Sequence, residues 1–300
     1  MTKRVLLFVL VNFLIILMLS FVLRILGVDS YLYEYGINYE SLLIFCAVFG
    51  FGGALISLAL SRVMAKWMMG VRVINPERPG TSMERDLLQL VYRLAQKARL
   101  SVMPEVGIYD SPEVNAFATG PTKSKALVAV SAGLLQQMDS NSVEGVLAHE
   151  ISHVSNGDMV TMTLVQGVVN TFVMFFARVA AWTVAQAMRS RDDDEGPSFM
   201  VQYLLVFVFE IFFGLLGMIA VAFFSRWREF RADSGGARLA GKEKMIGALQ
   251  SLKQTTEMID TQHAPSLAAF KINNKRAGLW ALFASHPDLD TRIAALRKMA

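Results

Sequence analysis

Four long apolar stretches, separated by polar segments, dominate the pattern of hydrophobic and polar positions along the chain. They cover residues 5–26, 42–60, 159–188 and 199–225. Each reaches the ~20 residues that an α-helix needs to cross the hydrocarbon core of a bilayer. The first stretch is longer than the apolar region of a signal peptide and lacks a clear small-residue cleavage site, which favours a membrane anchor. The pattern therefore predicts four transmembrane helices.

The polar segment after the second stretch carries the periodicities of a soluble domain. Residues 82–98 have Leu87, Val91 and Leu94 at helical spacing, which predicts an amphipathic helix. Three short strand-like runs follow, with turn residues between them. They cover residues 105–109, 115–119 and 126–131. This segment therefore combines helix and strand.

A further helix is predicted after the strands. Asn141 and Glu144 have the spacing of a capping box, and Asn156-Gly157 favours a C-terminal cap. The segment after the fourth stretch is predicted to be helical, with breaks at Pro265 and Pro287. We divide the chain into two membrane parts, residues 1–63 and 159–225, and two soluble parts, residues 64–158 and 226–300. The two soluble parts are expected to pack into one domain.

The composition fits a protein that is partly in the membrane and partly soluble. Hydrophobic residues make up 54% of the 300 residues and the mean hydropathy is +0.42, which is too apolar for an ordinary soluble enzyme. Charged residues make up 18%, which is too many for a chain that lies entirely in a membrane. Cys46 is the only cysteine and lies in the second stretch, so we expect a packing residue and no disulfide.

Lys and Arg residues near the ends of the stretches predict the orientation in the membrane. Eight lie on one side: Lys3, Arg4, Arg62, Lys66, Arg72, Arg226, Arg228 and Arg231. Three lie on the other side, among acidic residues: Arg24, Arg189 and Arg191. The excess places both termini and residues 62–158 in the cytoplasm. Because the basic residues cluster at these ends, the net charge of +4 does not indicate nucleic-acid binding.

The run His149-Glu150-Ile151-Ser152-His153 carries the clearest candidate chemistry. Residues four apart share one face of an α-helix, so His149 and His153 can bind one cation between their imidazoles. Glu150 lies close to the same site and can accept a proton from water there. The chain has only four histidines, so a chance pair around a glutamate is the less favoured interpretation. The run predicts half of a zinc hydrolase site.

A catalytic zinc site usually has three protein ligands and leaves a fourth position to water. Candidates for the third ligand are His263, His286, Asp158, Glu229 and Asp233. We favour Glu229, because the hairpin of the third and fourth spans returns it to the surface where His149 emerges. Asp233 lies one helical turn later and suits a carboxylate that accepts the spare N–H of a ligand histidine. A charged helix start flanked by arginines is the alternative explanation of this pair.

Several separated motifs occur in one order along the chain. They are the His149–His153 run with Asn156-Gly157-Asp158, Asn115-Ala116-Phe117-Ala118-Thr119-Gly120, Arg228-Glu229-Phe230 with Asp233, and Ser285-His286-Pro287 with Leu289, Asp290 and Arg292. Together they resemble the HtpX family of membrane-embedded zinc metalloproteases. The four-span layout is similar too, so the resemblance covers essentially the full length. The family is related to the eukaryotic prenyl-protein proteases, which have longer chains and more spans.

The resemblance implies a fold and a metal site. The fold would be a mostly α membrane protein, with four transmembrane helices and a cytoplasmic α+β zincin-like protease domain assembled from two segments. One Zn²⁺ per chain would be bound by His149, His153 and Glu229. Glu150 would be the general base of peptide hydrolysis.

The resemblance also implies how a substrate is held. An edge strand would pair with the extended substrate backbone through main-chain hydrogen bonds. Its residues are Asn115, Ala116, Phe117 and Ala118. His286 and Arg292 would reach the site and stabilise the oxyanion. For His286, which precedes Pro287, a helix-start role is equally open.

The biological role implied by the family is protein quality control, often under heat or envelope stress. The chain would be a multi-pass protein of the bacterial inner membrane that removes misfolded or damaged membrane proteins. Its expected partners are membrane-protein and unfolded-protein substrates, the lipid bilayer and cooperating quality-control proteases, with no nucleic acid.

Three other classes remain open. An intramembrane protease of the site-2 type would carry the histidine motif inside an apolar span, whereas polar residues at 141–142 and 155–158 bracket it here. A transporter with structural zinc would need broken spans, and Gly50, Gly52 and Gly53 are the only hint of them. Close helix packing explains these glycines as well. A scaffold without activity would not need Glu150.

Arg178 and Glu210 are charged residues inside the third and fourth stretches. An isolated charge there costs several kcal/mol. Each is 16 residues from a turn near Asp194, so both should lie at similar depth and pair. A stabilising ion pair is favoured over a proton path or a substrate gate.

Overall fold

The structure, a computed structural model, describes residues 17–19, 21, 25, 32–33, 36–188, 198–263 and 282–299. Most of the predicted first span, the loop at 189–197 and the break at Pro265 lie outside the described residues. The chain forms two compact units. The first consists of Met1–Ser57 with Met162–Val221, and the second of Leu58–Thr161 with Ala222–Ala300.

Helices predominate among the described residues. In chain order they are α1 (Tyr39–Met68), α2 (Ser82–Lys97), α3 (Ala132–Gln137), α4 (Ser140–Asn156), α5 (Asp158–Ala187), α6 (Phe199–Ala240), α7 (Lys242–His263) and α8 (Leu289–Lys298). The strands are β1 (Leu32–Tyr33), β2 (Gly36–Ile37), β3 (Arg72–Val73), β4 (Glu105–Tyr109), β5 (Ala116–Thr119) and β6 (Leu127–Ser131).

Three of the described helices, α1, α5 and α6, are long and apolar enough to cross a membrane. They contain the second, third and fourth apolar stretches, which confirms helix at these positions. In the first stretch the described positions 17–19, 21 and 25 are helical. Helix α6 does not stop at the end of its apolar stretch but continues past Ser225 to Ala240. No proline interrupts it, and its later turns bury Glu229 and Asp233.

Arg178 and Glu210 are paired in the first unit, as predicted. Arg178 Nη1 lies 2.8 Å from Glu210 Oε1 and donates a second hydrogen bond to the Met174 carbonyl. The guanidinium also lies 5.3 Å from the centre of the Phe45 ring. The positive charge therefore has a carboxylate, a carbonyl and an aromatic face as partners.

Close helix packing accounts for one of the glycines of α1. A Cβ atom at Gly50 would lie 2.7 Å from the backbone nitrogen of Thr171 on α5. Only a residue without a side chain allows this approach. Cys46, one turn earlier on α1, is fully buried, as expected for a packing residue.

The second unit is built around a four-stranded sheet in the order β3-β4-β6-β5. The three predicted strands are confirmed to within a residue, whereas the two-residue strand β3 was missed. β4 and β6 are parallel, and β3 and β5 pair antiparallel to their neighbours. In the described residues β5 pairs only with β6, with Ala116 opposite Val130 and Thr119 opposite Leu127. β5 is therefore an edge strand.

The core of the second unit lies between the sheet and helices α2 and α4. Its buried side chains include Leu87, Val91 and Leu94 of α2, Val106, Val128 and Val130 of the sheet, and Leu147, Ile151 and Val154 of α4. Because Ile151 is fully buried in this core, the neighbouring residues of α4 are held at fixed positions above it.

The start of α4 differs from the prediction. The capping box at Asn141 and Glu144 is wrong, because Asp139 is the N-cap and accepts hydrogen bonds from the backbone N–H groups of Asn141 and Ser142. Glu144 instead pairs with Lys244 and Arg93. The end is as predicted: Gly157 adopts the left-handed conformation, with φ 74°, and its N–H closes the last turn.

Helix α8 begins directly after Pro287. Its N-cap is Asp288, whose side chain accepts hydrogen bonds from the backbone N–H groups of Asp290 and Thr291. His286 precedes this cap, so the alternative that made His286 the helix-start residue is wrong. Buried Ile293 and Leu296 pack α8 against α7.

Candidate metal centre

His149 and His153 face each other in the C-terminal half of the buried helix α4. Their Nε2 atoms lie 3.0 Å apart, and each residue is 8% exposed. Ile151, between them, is anchored in the core. The spacing of four residues therefore places two imidazoles on one face, as the helical period requires.

Glu229 of helix α6 completes the cluster. Its Oε2 lies 3.4 Å from His149 Nε2, and its Oε1 lies 3.4 Å from His153 Nε2. The residue is 0% exposed, and the three potential ligand atoms lie within 4.8 Å of one another. The structure thus brings Glu229, the favoured candidate for the third ligand, next to both histidines.

Each histidine presents its other ring nitrogen to a carboxylate. His149 Nδ1 lies 2.9 Å from Asp233 Oδ1, and His153 Nδ1 lies 2.7 Å from Asp158 Oδ2. An Nδ1–H that donates to a carboxylate leaves the Nε2 lone pair of a neutral imidazole free. Both Nε2 lone pairs then point into the same small space.

These residues fit a divalent metal. Two facing lone pairs repel each other unless a proton or a cation lies between them. The fully buried Glu229 carboxylate faces both Nε2 atoms, and a cation held between these three groups would offset the cost of burying its charge. Tetrahedral zinc with bonds of 2.0–2.2 Å places its ligand atoms about 3.3–3.6 Å apart, close to the 3.0 Å between the two Nε2 atoms and the 3.4 Å from each Nε2 atom to one Glu229 oxygen, Oε2 for His149 and Oε1 for His153.

Without a metal, the carboxylates hold protons on the histidines. Burial by itself would lower the pKa of His149, but hydrogen bonds to Asp233 and Glu229 outweigh burial and raise the pKa to about 9. Burial alone would also lower the pKa of His153, but hydrogen bonds to Asp158 and Glu229 outweigh burial and raise this pKa. The site is thus built for positive charge between the two rings.

Arg292 of helix α8 lies next to Asp233 and Glu229, the carboxylates that contact His149. It is 6% exposed, and its Nε and Nη2 donate to the two carboxylate oxygens of Asp233 at 2.8 and 2.6 Å. Nη1 lies 3.7 Å from Glu229 Oε2. The guanidinium therefore faces two of the carboxylates that contact His149.

Glu150 and His286 are less buried than the histidine pair and Glu229. Glu150 is half-buried, and within the described part of the chain it forms no hydrogen bond or ion pair. The His286 side chain is 62% exposed, with Nδ1 at 2.9 Å from Glu229 Oε2. His263, an early candidate ligand, ends α7, and its side chain lies outside the described residues.

The edge strand predicted for substrate contact also belongs to the second unit. Ala116, Phe117 and Ala118 lie in β5, and Asn115 precedes it, with its backbone N–H donating to Ser131 Oγ at 3.1 Å. The side chains of Ala116 and Ala118 pack on the core that contains α4. This contact ties β5 to the helix of the histidines.

A comparison with protein-family models identifies residues 81–300 as a match to Peptidase family M48. The matched region includes all the candidate site residues, from Asn115 to Arg292. The chain belongs to peptidase family M48.

Curated relatives extend the M48 match to the full length of the chain. "Protease HtpX homolog" of Bacillus velezensis is 51% identical over 99% of this chain and 99% of its own. "Protease HtpX homolog" of Bacillus subtilis is 50% identical over the same shares, and "Protease HtpX" of Shewanella frigidimarina is 52% identical over 98% and 99%. These similarities identify the M48 protein as a member of the HtpX group and as a membrane-bound metalloprotease.

The M48 fold is also found in a solved structure. The crystal structure of S. mikatae Ste24p matches with a TM-score of 0.57 at 16% identity. The match covers 85% of this chain and 58% of that one. The likeness shows a shared fold, with Ste24p the longer chain.

Sequence reasoning missed some residues of this M48 site. Asp158 was considered as a ligand, but not as the partner of His153. Gly235 and Gly236 were not singled out, although a Cβ at Gly235 would meet Ser152 Oγ and one at Gly236 would lie 3.1 Å from the backbone nitrogen of His149. Their lack of side chains lets α6 approach α4 closely enough for Glu229 to reach the histidines. Two adjacent glycines in the interior of a helical segment were the available signal.

Proposed function

We propose that the chain is a zinc-dependent endopeptidase that cleaves misfolded or damaged membrane proteins at the cytoplasmic face of the bacterial inner membrane. The convergence of His149, His153 and Glu229 beside an unpaired Glu150 carries this proposal. The apolar helices of the same chain support action at a membrane.

The three converging residues would bind one zinc ion, with Asp233 and Asp158 orienting the imidazoles. Bound zinc would supply a Lewis acid that acidifies water and polarises a peptide carbonyl. Glu150 is free of competing partners, so its carboxylate can accept a proton from the attacking water. It then returns this proton to the leaving amine. His286, exposed at the mouth of the centre, is the described residue best placed to donate to the developing oxyanion.

The substrate would bind to the free edge of β5. Main-chain N–H and C=O groups along an edge strand pair with an extended peptide, whatever its side chains. The short side chains of Ala116 and Ala118 point into the core and leave the edge unobstructed. Such a surface suits unfolded segments of many sequences, as quality control requires.

Charge supports the cytoplasmic placement. Arg62, Lys66 and Arg72 follow the second apolar stretch, and Arg226, Arg228 and Arg231 follow the fourth. Positive residues at the same ends of successive spans favour the cytoplasm for the second unit. In this arrangement the partners are the bilayer, damaged membrane proteins and the other proteases that clear them.

The test uses full-length protein purified in detergent, with zinc content and cleavage of an unfolded membrane protein measured together. Glu150→Gln should keep about one zinc per chain and lose at least about 10²-fold in kcat. Glu243→Gln, on an exposed position of α7, is the matched control and should keep both properties. Cleavage retained in Glu150→Gln, or activity that survives complete chelation of zinc, would contradict the proposal.

A further inference from the structure

The Asp233 carboxylate is held from two sides. Its Oδ1 lies 2.9 Å from His149 Nδ1 and 2.6 Å from Arg292 Nη2, while Oδ2 accepts from Arg292 Nε at 2.8 Å. A guanidinium that binds both oxygens of a carboxylate fixes its rotation as well as its position. Asp233 can therefore present only one orientation to His149.

Burial and hydrogen bonds also fix the orientation of the Arg292 guanidinium. It is 6% exposed, and two of its three nitrogens are committed to Asp233. The third nitrogen faces the buried Glu229 Oε2 at 3.7 Å. A group that stabilises an oxyanion must point its donors at the open side of the centre, where the substrate carbonyl lies. Arg292 instead points its donors at carboxylates, and its Nη2 also lies 3.4 Å from the His149 Nδ1 that donates to Asp233.

We propose that Arg292 is a positioning residue of the metal centre: through Asp233 it fixes the His149 imidazole and so sets the affinity for the metal. This inference rests on the proposed zinc site of His149, His153 and Glu229. It replaces the oxyanion role that the family resemblance implies for Arg292.

The proposal also explains why an arginine is buried here. Asp233 and Glu229 are two carboxylates within reach of one imidazole, and both are shielded from water. A single buried carboxylate without a partner is strongly unfavourable, and two would repel each other. The guanidinium neutralises this pair, and His149 also contacts both of its carboxylates.

The test measures zinc affinity by chelator competition and kcat at saturating zinc, on full-length protein in detergent. Arg292→Met should weaken zinc binding about 10–100-fold, because partners of metal-ligating histidines have effects of this size. The kcat with saturating zinc should stay within about threefold of the wild type. Arg292→Lys, which keeps the charge and loses the fork, should give an intermediate affinity.

Two controls separate this role from loss of packing. Arg297→Met makes the same change on an exposed position of α8 and should leave zinc affinity unchanged. Leu296→Ala removes a buried contact between α8 and α7 and should lower the melting temperature with zinc affinity kept within about threefold. Equal weakening by Leu296→Ala and Arg292→Met would overturn the proposal, since the effect would then be packing.

A double variant keeps the test decisive if Arg292→Met does not fold. Asp233→Asn with Arg292→Met removes the buried charge together with its partner. Because Arg292 acts through Asp233, the double variant should bind zinc as Asp233→Asn alone does, within about twofold. A further tenfold loss in the double variant would contradict the proposal.

The outcomes also separate this proposal from the metal site on which it rests. If Arg292→Met lowers kcat by about 10²–10³ with unchanged zinc affinity, Arg292 is an oxyanion donor and the proposal is wrong. If His149→Ala leaves zinc binding intact, the zinc site is misassigned, and both the proposed zinc site and the positioning role of Arg292 are wrong. If His149→Ala abolishes zinc binding while Arg292→Met leaves it unchanged, only the positioning role is refuted.

Discussion

Two sets of charged residues lie in apolar surroundings in this protein, one at the metal centre and one between the long apolar helices α5 and α6. Arg178 and Glu210 satisfy each other, and Arg178 also has a carbonyl and an aromatic ring as partners. At the metal centre His149 Nε2 and His153 Nε2 face each other at 3.0 Å, and each lies 3.4 Å from an oxygen of buried Glu229. A complete ion pair stabilises a fold, whereas two facing imidazole nitrogens beside a buried carboxylate form a site for a cation.

The difference predicts which substitutions affect metal binding and which affect only stability. The largest effect is expected at Glu229. Glu229→Ala removes one of three ligands and should reduce zinc occupancy of the purified protein to below about 10%, with loss of cleavage. Metal analysis after gel filtration measures this. Full occupancy would move the third ligand to Asp233 or His286.

A smaller effect is expected where a residue orients a ligand without binding the metal. Asp158→Asn keeps the shape of the side chain but weakens its hydrogen bond with His153 Nδ1, so zinc affinity should fall about 10–100-fold. Chelator competition measures the affinity. Glu243→Gln, on an exposed position of α7, is the control and should bind zinc normally. An unchanged affinity in Asp158→Asn would show that His153 does not need this carboxylate.

The membrane ion pair should affect stability and not metal binding. Glu210→Gln leaves Arg178 without its carboxylate and should destabilise the protein by roughly 2–3 kcal/mol, the range for a charge within a bilayer. Zinc affinity should not change. Exchanging the two residues, Arg178→Glu with Glu210→Arg, should restore much of the melting temperature in detergent or lipid. Failure of this exchange to rescue would mean that the pair does more than neutralise charge.

The smallest effect concerns Glu84, a satisfied carboxylate near the start of α2. A hydrogen bond from the Gly80 backbone N–H, together with Arg72, lowers the pKa of Glu84 from its usual value of 4.5. A lowered pKa stabilises the fold above pH 4.5, and this contribution is lost as pH falls through the folded value. Glu84→Gln should lower the melting temperature by about 2 °C at pH 7, with a smaller difference from the wild type at pH 3. A difference that grows on acidification would contradict this account.

Much of this architecture could be predicted from the sequence because it depends on local periodicity. The lengths of the apolar stretches predicted helices α1, α5 and α6, and short runs between turn residues predicted three strands. The spacing of His149 and His153 predicted that both imidazoles lie on one face of α4. The two-residue strand β3 carries too little pattern to be recognised. The fourth apolar stretch ends at Ser225, but helix α6 continues to Ala240, because a change in polarity marks a membrane edge and does not end a helix.

The remaining features of the site depend on tertiary contacts. Asp158 reaches His153 because Gly157 turns the chain by its left-handed conformation, which brings the next residue back to the ring. Asp139 rather than Asn141 caps α4, since Glu144 is drawn to Lys244, 100 residues away in sequence. Arg292 was predicted to be near the site, but no sequence pattern could show that its donors face Asp233 instead of a substrate.

The central claim is that His149, His153 and Glu229 bind one catalytic zinc ion. Anomalous diffraction at the zinc edge, from crystals of the purified full-length protein, tests it most directly. The account predicts one peak per chain, about 2.0–2.2 Å from both Nε2 atoms and from a Glu229 carboxylate oxygen. A peak bound by Asp233 or His286 in place of Glu229, or no peak between the two histidines, would contradict it.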